Sequence, residues 1–274
     1  MTRVVIVTGT SSGIGRAIAV HLAARGDRVF AGSLTAATDP AVPGMTSLPL
    51  DVRDGEAVAG FVATVRERAG GIDVLVNNAG FAMGGALEET SIAEAKAQFE
   101  TNFFGAARMV NAVLPGMRAA RRGRIINIGS GAGITAEPFA GYYTATKFAL
   151  EGYSEALRHE VAAFGVTVSI VEPGWYRTAI VENAVRVAAP LPAYDAARAR
   201  VFDLVTGYCN GGADPARVAR CVAAILRARR PKLRYPVGTD VTWSQRLRRV
   251  LPERIYQRLV ARYYRVPLLE EGSP

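Results

Sequence analysis

Several short segments of this chain are apolar without alternation: RVVIVT (3–8), IDVLVN (72–77), GRIINIGS (123–130) and GVTVSIVEPG (165–174) are rich in Val, Ile and Leu. A strand with one face in water alternates apolar with polar residues. A continuous run therefore marks a strand covered on both faces, as in a parallel sheet sandwiched between helices. DRVFAG (27–32), TSLPLDV (46–52) and KLRYPV (232–237) bring the set to seven. Between them, 14–24, 56–68, 99–119 and 144–164 carry apolar residues at helical spacing. This alternation predicts an α/β fold, a doubly wound parallel seven-stranded sheet of the Rossmann type with helices on both faces. With 274 residues the chain suits one such domain, spanning 1–274, better than two. The pattern lapses over 179–212, before a helix opened by Asp214-Pro215. An insertion after a late strand falls at the carboxyl edge, where such sheets bind ligands, so 179–212 is expected to be a substrate lid.

Half of the residues are apolar, yet no run approaches the roughly 20 residues that cross a bilayer. The apolar run 4–7 ends at once in Thr-Gly, without the length or flanks of a secretory signal, and a cytoplasmic location is expected. Cys209 and Cys221 have no ligand-like His or Cys near them in sequence, so neither a disulfide framework nor a metal site is expected. The net charge of +9 suggests nucleic acid until it is located. Residues 227–265 hold twelve Lys or Arg against Asp240 and Glu253, which leaves the rest of the chain nearly neutral. Charge without base-reading groups does not make a nucleic-acid surface, and none is expected. Within the extension 240–266, Trp243, Leu247, Val250 and Leu251 share one helical face. Ile255, Tyr256, Leu259, Val260, Tyr263 and Tyr264 share another, opposite Arg254, Arg258 and Arg262. Such a basic amphipathic extension fits peripheral contact with an anionic membrane. An apolar stripe covering the substrate cleft or a subunit partner also fits it, and is preferred because amphipathic helices mostly face a core.

VTGTSSGIG (7–15) joins the first strand to the first helix. Gly9 permits the tight turn, Gly13 lets backbone approach a pyrophosphate, Gly15 allows close helix–strand packing, and the open N–H groups of the helix start attract the phosphate. The spacing Gly-x-x-x-Gly-x-Gly departs from the common dinucleotide pattern Gly-x-Gly-x-x-Gly.

With that departure, TGTSSGIG resembles the cofactor motif of the short-chain dehydrogenase/reductase family, and further motifs follow in the family's order over roughly residues 3–240. LDV (50–52) resembles its adenine-contacting segment, which puts Asp51 and Val52 beside the ring. NNAG (77–80) resembles the motif after the fourth strand, TNFFG (101–105) supplies the helix asparagine, and EPGWYRT (172–178) resembles the segment that holds the nicotinamide carboxamide. The resemblance implies an NAD(P)(H)-dependent oxidoreductase interconverting an alcohol with a ketone or aldehyde. Its cofactor contacts would be Gly9, Thr10, Ser11, Ser12, Gly13, Ile14, Gly15, Ser33, Asp51, Val52, Asn78, Ala79, Gly80, Tyr143, Lys147, Pro173, Gly174, Tyr176 and Thr178. GSGAG followed by YTATKFALEG, with EPGWYRT and the long extension, is similar to the hydroxysteroid and retinol dehydrogenase branch. That similarity implies a lipophilic, steroid- or retinoid-like substrate. The family resemblance also implies a homodimer or homotetramer built on the helices that hold Asn102 and Tyr143.

Exchange of hydride between a nicotinamide and a carbinol carbon needs a proton donor or acceptor at the oxygen. A phenol, with a usual pKa of about 10, is a poor base unless an ammonium stands beside it. In GYYTATK, Tyr143 and Lys147 are four apart and share a helix face, whereas Lys147 lies about 140° around the axis from Tyr142. Ser130 ends a strand thirteen residues earlier, placed to donate to the substrate oxygen. The resemblance adds Asn102, whose backbone and side chain would hold a water next to Lys147. Asn102, Ser130, Tyr143 and Lys147 thus fill the family's catalytic tetrad. Where an acid would select NAD(H) and an arginine NADP(H), this chain has Ser33 and Leu34, and Ser12 is also neutral. The missing acid tilts the reading toward NADP(H), with use of both cofactors open. Phe81, Ala82, Met83, Ile134, Phe139, Tyr142, Trp175 and Tyr176 are expected at a largely apolar mouth. Two other functions remain open: a ketoreductase of a polyketide or carrier-bound acyl group, which the basic extension would suit, and a non-catalytic dinucleotide-binding sensor or scaffold, which has no need of Tyr143 with Lys147.

Overall fold

The computed structural model describes residues 2–35, 42–180 and 183–267. The rest of the AGSLTAA stretch beyond Thr35, positions 181–182 of the lid segment, and the two chain ends lie outside the described residues. Along the chain run β1 (Val4–Thr8), α1 (Gly13–Ala23), β2 (Arg28–Ser33), β3 (Met45–Pro49), α2 (Gly55–Ala69), β4 (Val74–Asn77), β5 (Met83–Gly84) and α3 (Ile92–Phe99). They are followed by α4 (Gly105–Ala119), β6 (Gly123–Ile128), α5 (Gly141–Val161), β7 (Val166–Pro173) and β8 (Val185–Arg186). α6 (Asp195–Asn210), α7 (Ala216–Arg227), β9 (Arg234–Val237), α8 (Thr239–Val250) and α9 (Glu253–Tyr264) complete the order.

Seven strands form one parallel sheet in the order β3-β2-β1-β4-β6-β7-β9. The four continuously apolar runs supply its centre, where Val5, Ile6, Val7, Leu75, Val76, Ile125, Ile126 and Ile170 are inaccessible to solvent. One core lies between the sheet and helices α1 and α7, the other between the sheet and α2, α4 and α5. Strand order reverses between β1 and β4, which opens a crevice at their carboxyl ends, the place where such sheets bind ligands.

Three local features depart from the sequence reading. β3 stops at Pro49, and Leu50 and Val52 turn inward as buried loop residues. The helix expected from residue 99 starts at Ile92 instead. A capping box there lets the Ser91 hydroxyl accept from Glu94 N while Glu94 accepts from Ser91 N. It then widens into a π-helical turn over Glu100–Phe104 before α4, and that turn carries Asn102. Finally, the 179–212 segment has structure of its own: β8 pairs with β5 in a two-stranded parallel ribbon, and α6 packs behind it. Glu89 anchors the segment by accepting from Leu191 N at 2.8 Å and pairing with Arg198, and Glu94 accepts from Ala188 N. Among the described residues no helix is long and apolar enough to cross a membrane.

Candidate active site

The phosphate end of the crevice is built from two interlocked turns. The chain leaves β1 through Gly9 at φ +69°, a left-handed conformation that favours glycine. A Cβ there would stand 2.7 Å from Ala79 Cα, so the NNAG turn packs directly on the glycine loop. Asn78 stitches the two, its Nδ2 donating to Thr8 O at 3.0 Å and Gly9 O at 2.9 Å, while the Thr8 hydroxyl accepts from Asn78 N and Ala79 N. Two of the expected cofactor contacts also build the loop itself. Asn78 lines the cavity, but its amide is committed to holding the loop, and Thr10 is buried with its hydroxyl donating to Gly32 O. Exposed Ser11 and Ser12 and the start of α1 remain toward the crevice, and Ser12 places no side-chain cap on the helix. Its first N–H groups are therefore open to an anion, and Thr178 stands across from Gly13 within 3.4 Å of where a Cβ would project. This cradle fits the pyrophosphate of a dinucleotide.

At the far end of the crevice, Ser33 is buried at the tip of β2 and donates to Thr35 O at 2.5 Å, while Leu34 is exposed. No carboxylate closes this strand end among the described residues. Asp51 pairs with Arg53 at 2.6 Å, and hydrogen bonding to that guanidinium holds its carboxyl below the usual range. Val52 is buried against Gly105 at the start of α4.

Ser130, Tyr143 and Lys147 meet at the wall of a cavity of about 170 Å³ on the same edge. β6 delivers Ser130, whose hydroxyl accepts from Ala132 N at 3.1 Å and lies on the same wall as the Tyr143 phenol. α5 places Lys147 one turn beyond Tyr143, with Nζ 5.7 Å from the ring centroid and donating to Ile128 O at 3.0 Å. Burial pushes Lys147 down to about 8. Burial, and then the Glu137 carboxylate, push the Tyr143 phenol above its usual value, against the pull of Ser130. The expectation that Lys147 brings the phenol down therefore needs correcting for this state. A lysine that loses its proton near 8 carries no charge when the phenol would ionise, so its effect exists only at lower pH.

Asn102 is held by the elements around it. Its Oδ1 accepts from Phe81 N at 3.0 Å and its Nδ2 donates to Phe81 O at 2.9 Å and Thr146 Oγ1 at 3.2 Å. The side chain thus ties the π-turn to the loop after β4 and to α5. Behind it runs a buried ladder that sequence reasoning missed: Asn77 donates to Asn127, Asn127 to Ser154, and Ser154 to Leu150 O. It locks β4, β6 and α5 in register under the site.

Phe81, Ala82, Met83, Phe139 and Trp175 line the cavity as expected. The lid segment adds Ile180, Val201, Phe202, Val205 and Cys209. Ile134 is buried and Tyr142 half-exposed, and neither is among the residues lining this cavity or the next. Tyr176 contributes to the wall, but its ring sits in the core with its hydroxyl donating to Val237 O at 3.1 Å, so it is no mouth residue. A second, apolar cavity of about 310 Å³ lies between the Ser130–Glu137 loop and the C-terminal helices. Val241, Leu247, Tyr256, Leu259, Val260, Tyr263 and Tyr264 line it. It shares Ser130, Glu137, Pro173, Gly174 and Trp175 with the first. Of the two readings of the extension, one face of α8 and α9 does cover the cleft. Glu137 escaped sequence analysis; its only signal was a lone acid in the small and apolar stretch AEPFAG.

A phosphate cradle at the switch point of a parallel sheet, with a buried phenol, hydroxyl and ammonium beside it, defines a dinucleotide-dependent oxidoreductase of the Rossmann type. Comparison with known proteins narrows the class. The family model for short chain dehydrogenase matches residues 3–188. A 3-ketodihydrosphingosine reductase of Bacteroides thetaiotaomicron is 36% identical over 238 residues, covering 86% of this chain and 88% of the relative. Human retinol dehydrogenase 8 is 36% identical over 262 residues, covering 88% and 83%. The crystal structure of a short-chain dehydrogenase from Streptomyces avermitilis superposes with a TM-score of 0.81 at 37% identity, covering 96% of this chain and 98% of that one. The chain belongs to the short-chain dehydrogenase/reductase family and is an oxidoreductase acting between alcohol and carbonyl.

Proposed function

We propose that the protein interconverts a secondary alcohol and a ketone on a lipophilic substrate, with Tyr143 as the proton donor and acceptor. The observation that carries this reading is the Tyr143 phenol, buried at the wall of an apolar cavity with Ser130 on the same wall and Lys147 on the next turn. The Gly9–Gly15 turn, Pro173 and Gly174 would hold a nicotinamide dinucleotide, which would supply or take up the hydride. Ser130 donates to the substrate oxygen and fixes its direction. Tyr143 gives its proton to that oxygen in reduction and takes it back in oxidation, and Lys147, charged at neutral pH, stabilises the phenolate left behind. Asn102 acts as a positioning residue through Phe81 and Thr146.

The lid and extension supply a wall of aliphatic and aromatic side chains, which suits a lipophilic molecule better than a short polar ketone. Relatives named for ketodihydrosphingosine and retinol support that choice. NADP(H) is the preferred cofactor in this reading, because the tip of β2 offers Ser33 and Leu34 and, among the described residues, no carboxylate to repel a 2′-phosphate. Two copies associate through α4 and α5 beside the exposed Phe104 of the π-turn, while Arg248 of α8 stacks over Phe148 and narrows the available face of α5. Outward-facing Val250 and Ile255 among the arginines of α8 and α9 give the second contact, with an anionic membrane surface where such substrates partition. A screen of long-chain, retinoid, steroid and acyl-thioester carbonyls with both cofactors tests the reading, with Tyr143→Phe as control. Near-normal turnover by that variant would overturn it.

A further inference from the structure

Glu137 is an acid in the wrong place for a hydrocarbon substrate. It lies on the wall common to both cavities, between the catalytic phenol and the chamber beneath α8 and α9. Burial pushes its carboxyl up to about 7, and the Tyr264 hydroxyl of α9 is the group that draws it back down. Tyr143 and Cys209 also face it, and each is made harder to ionise by its charge. The two cations lining the first cavity are directed elsewhere: Lys147 donates to Ile128 O, and Arg186 stacks over Phe202 at 3.8 Å. One hydroxyl leaves most of a carboxylate's acceptor capacity unfilled. A carbon skeleton filling the cavities would either strand that charge or force a proton onto it.

Resting on the oxidoreductase reading above, we propose that Glu137 and the chamber beneath α8 and α9 select an amphiphilic ketone or alcohol that carries a protonated amine close to the reacting carbon and a long aliphatic tail. The ammonium pairs with Glu137 and cancels its opposition to the Tyr143 phenolate, so the same contact that binds the substrate favours the proton transfer. The tail runs past Ser130 and Trp175 into the apolar chamber, whose lining offers Leu247, Leu259 and Val260.

The test uses full-length protein with NADPH and a matched set of long-chain ketones of one length bearing amino, acetamido, hydroxyl or no group beside the carbonyl. The expected result is a kcat/KM at least tenfold higher for the amino ketone than for the acetamido and unsubstituted ones. Glu137→Gln should abolish that preference by raising KM for the amino ketone, while turnover of the neutral ketones rises because the carboxylate no longer opposes the Tyr143 phenolate. In calorimetric titrations without cofactor, the long-chain amino alcohol should bind wild type more tightly than its hydroxyl analogue, and Glu137→Gln should bind the two alike. Glu137→Leu gives the same reading from an apolar replacement should the amide distort the loop. Tyr143-dependent turnover of neutral ketones with no amine preference overturns this inference and leaves the oxidoreductase reading standing. Absence of Tyr143-dependent turnover on every ketone overturns both.

Discussion

Replacement of Lys147 by methionine isolates a single charge. Methionine keeps much of the length of the stem and stays apolar in a buried site, so the fold should hold or gain stability. With Nζ 5.7 Å from the Tyr143 ring and an effective dielectric of about 20, the ammonium favours the phenolate by about 3 kcal/mol, close to two orders of magnitude. At pH 7 the variant should therefore lose roughly a hundredfold in kcat with a smaller change in KM, the pattern of an interaction made in the transition state. The pH profile adds a sign. Lys147 is depressed to about 8 and the phenol is raised, so between pH 7 and 9 the lysine loses its charge while Tyr143 keeps its proton. Reductive kcat/KM of the wild type should fall as pH rises through about 8, and that limb should be missing in Lys147→Met. Stopped-assay rates at saturating cofactor from pH 6 to 9.5, with thermal unfolding as a control for folding, measure both effects. A variant within threefold of wild type across the range would refute the electrostatic role.

Four further outcomes follow from particular contacts. Ser33→Asp puts a carboxylate at the tip of β2 and should raise KM for NADP(H) about tenfold, some 1.4 kcal/mol, with little effect on NAD(H), as read by initial rates with each cofactor. Glu172 is wholly buried with neither carboxylate oxygen hydrogen-bonded and Arg234 standing 3.9 Å away, and burial beside Glu151 pushes its pKa well above the usual value. The folded state therefore holds that proton to higher pH than the unfolded chain, and stability is lost as pH rises from about 5 through the folded value; thermal midpoints of Glu172→Gln should lack that part of the decline. Glu89→Gln removes a carboxylate that accepts from Ala86 N and Leu191 N and pairs with Arg198, so hydrogen exchange over 183–210 should quicken and substrate KM should rise several-fold. Val250→Glu should weaken co-sedimentation with anionic vesicles while leaving kcat on a micellar substrate unchanged, and equal binding by both proteins would remove the membrane contact.

Local geometry explains what the sequence made legible. Tyr143 and Lys147 pair because residues four apart meet on any helix, and the central strands announce themselves because burial on both faces demands unbroken apolar runs. The rest depends on partners far along the chain. The π-turn at Asn102 is fixed by Phe81 and Thr146, and nothing between 99 and 105 encodes it locally. A two-residue ribbon such as β5 with β8 is too short to leave a periodicity. Glu137 could be found only by seeing Tyr143, Cys209 and Tyr264 around it, and the direction of the Tyr143 shift only by weighing burial against a lysine that burial itself discharges.

The second chamber bears on when this protein becomes itself during synthesis. All seven strands of the main sheet are in place by Val237, and the tetrad residues have all been made by Lys147. The floor that meets Ser130 and Glu137 comes from Val241 to Tyr264. Thr135, in the loop between Ser130 and Tyr143, hydrogen-bonds both Ser244 and Tyr256, so that loop acquires its packing only when the last helix emerges from the ribosome and docks. A nascent chain can thus own a complete sheet and a cofactor cradle while its substrate chamber still stands open.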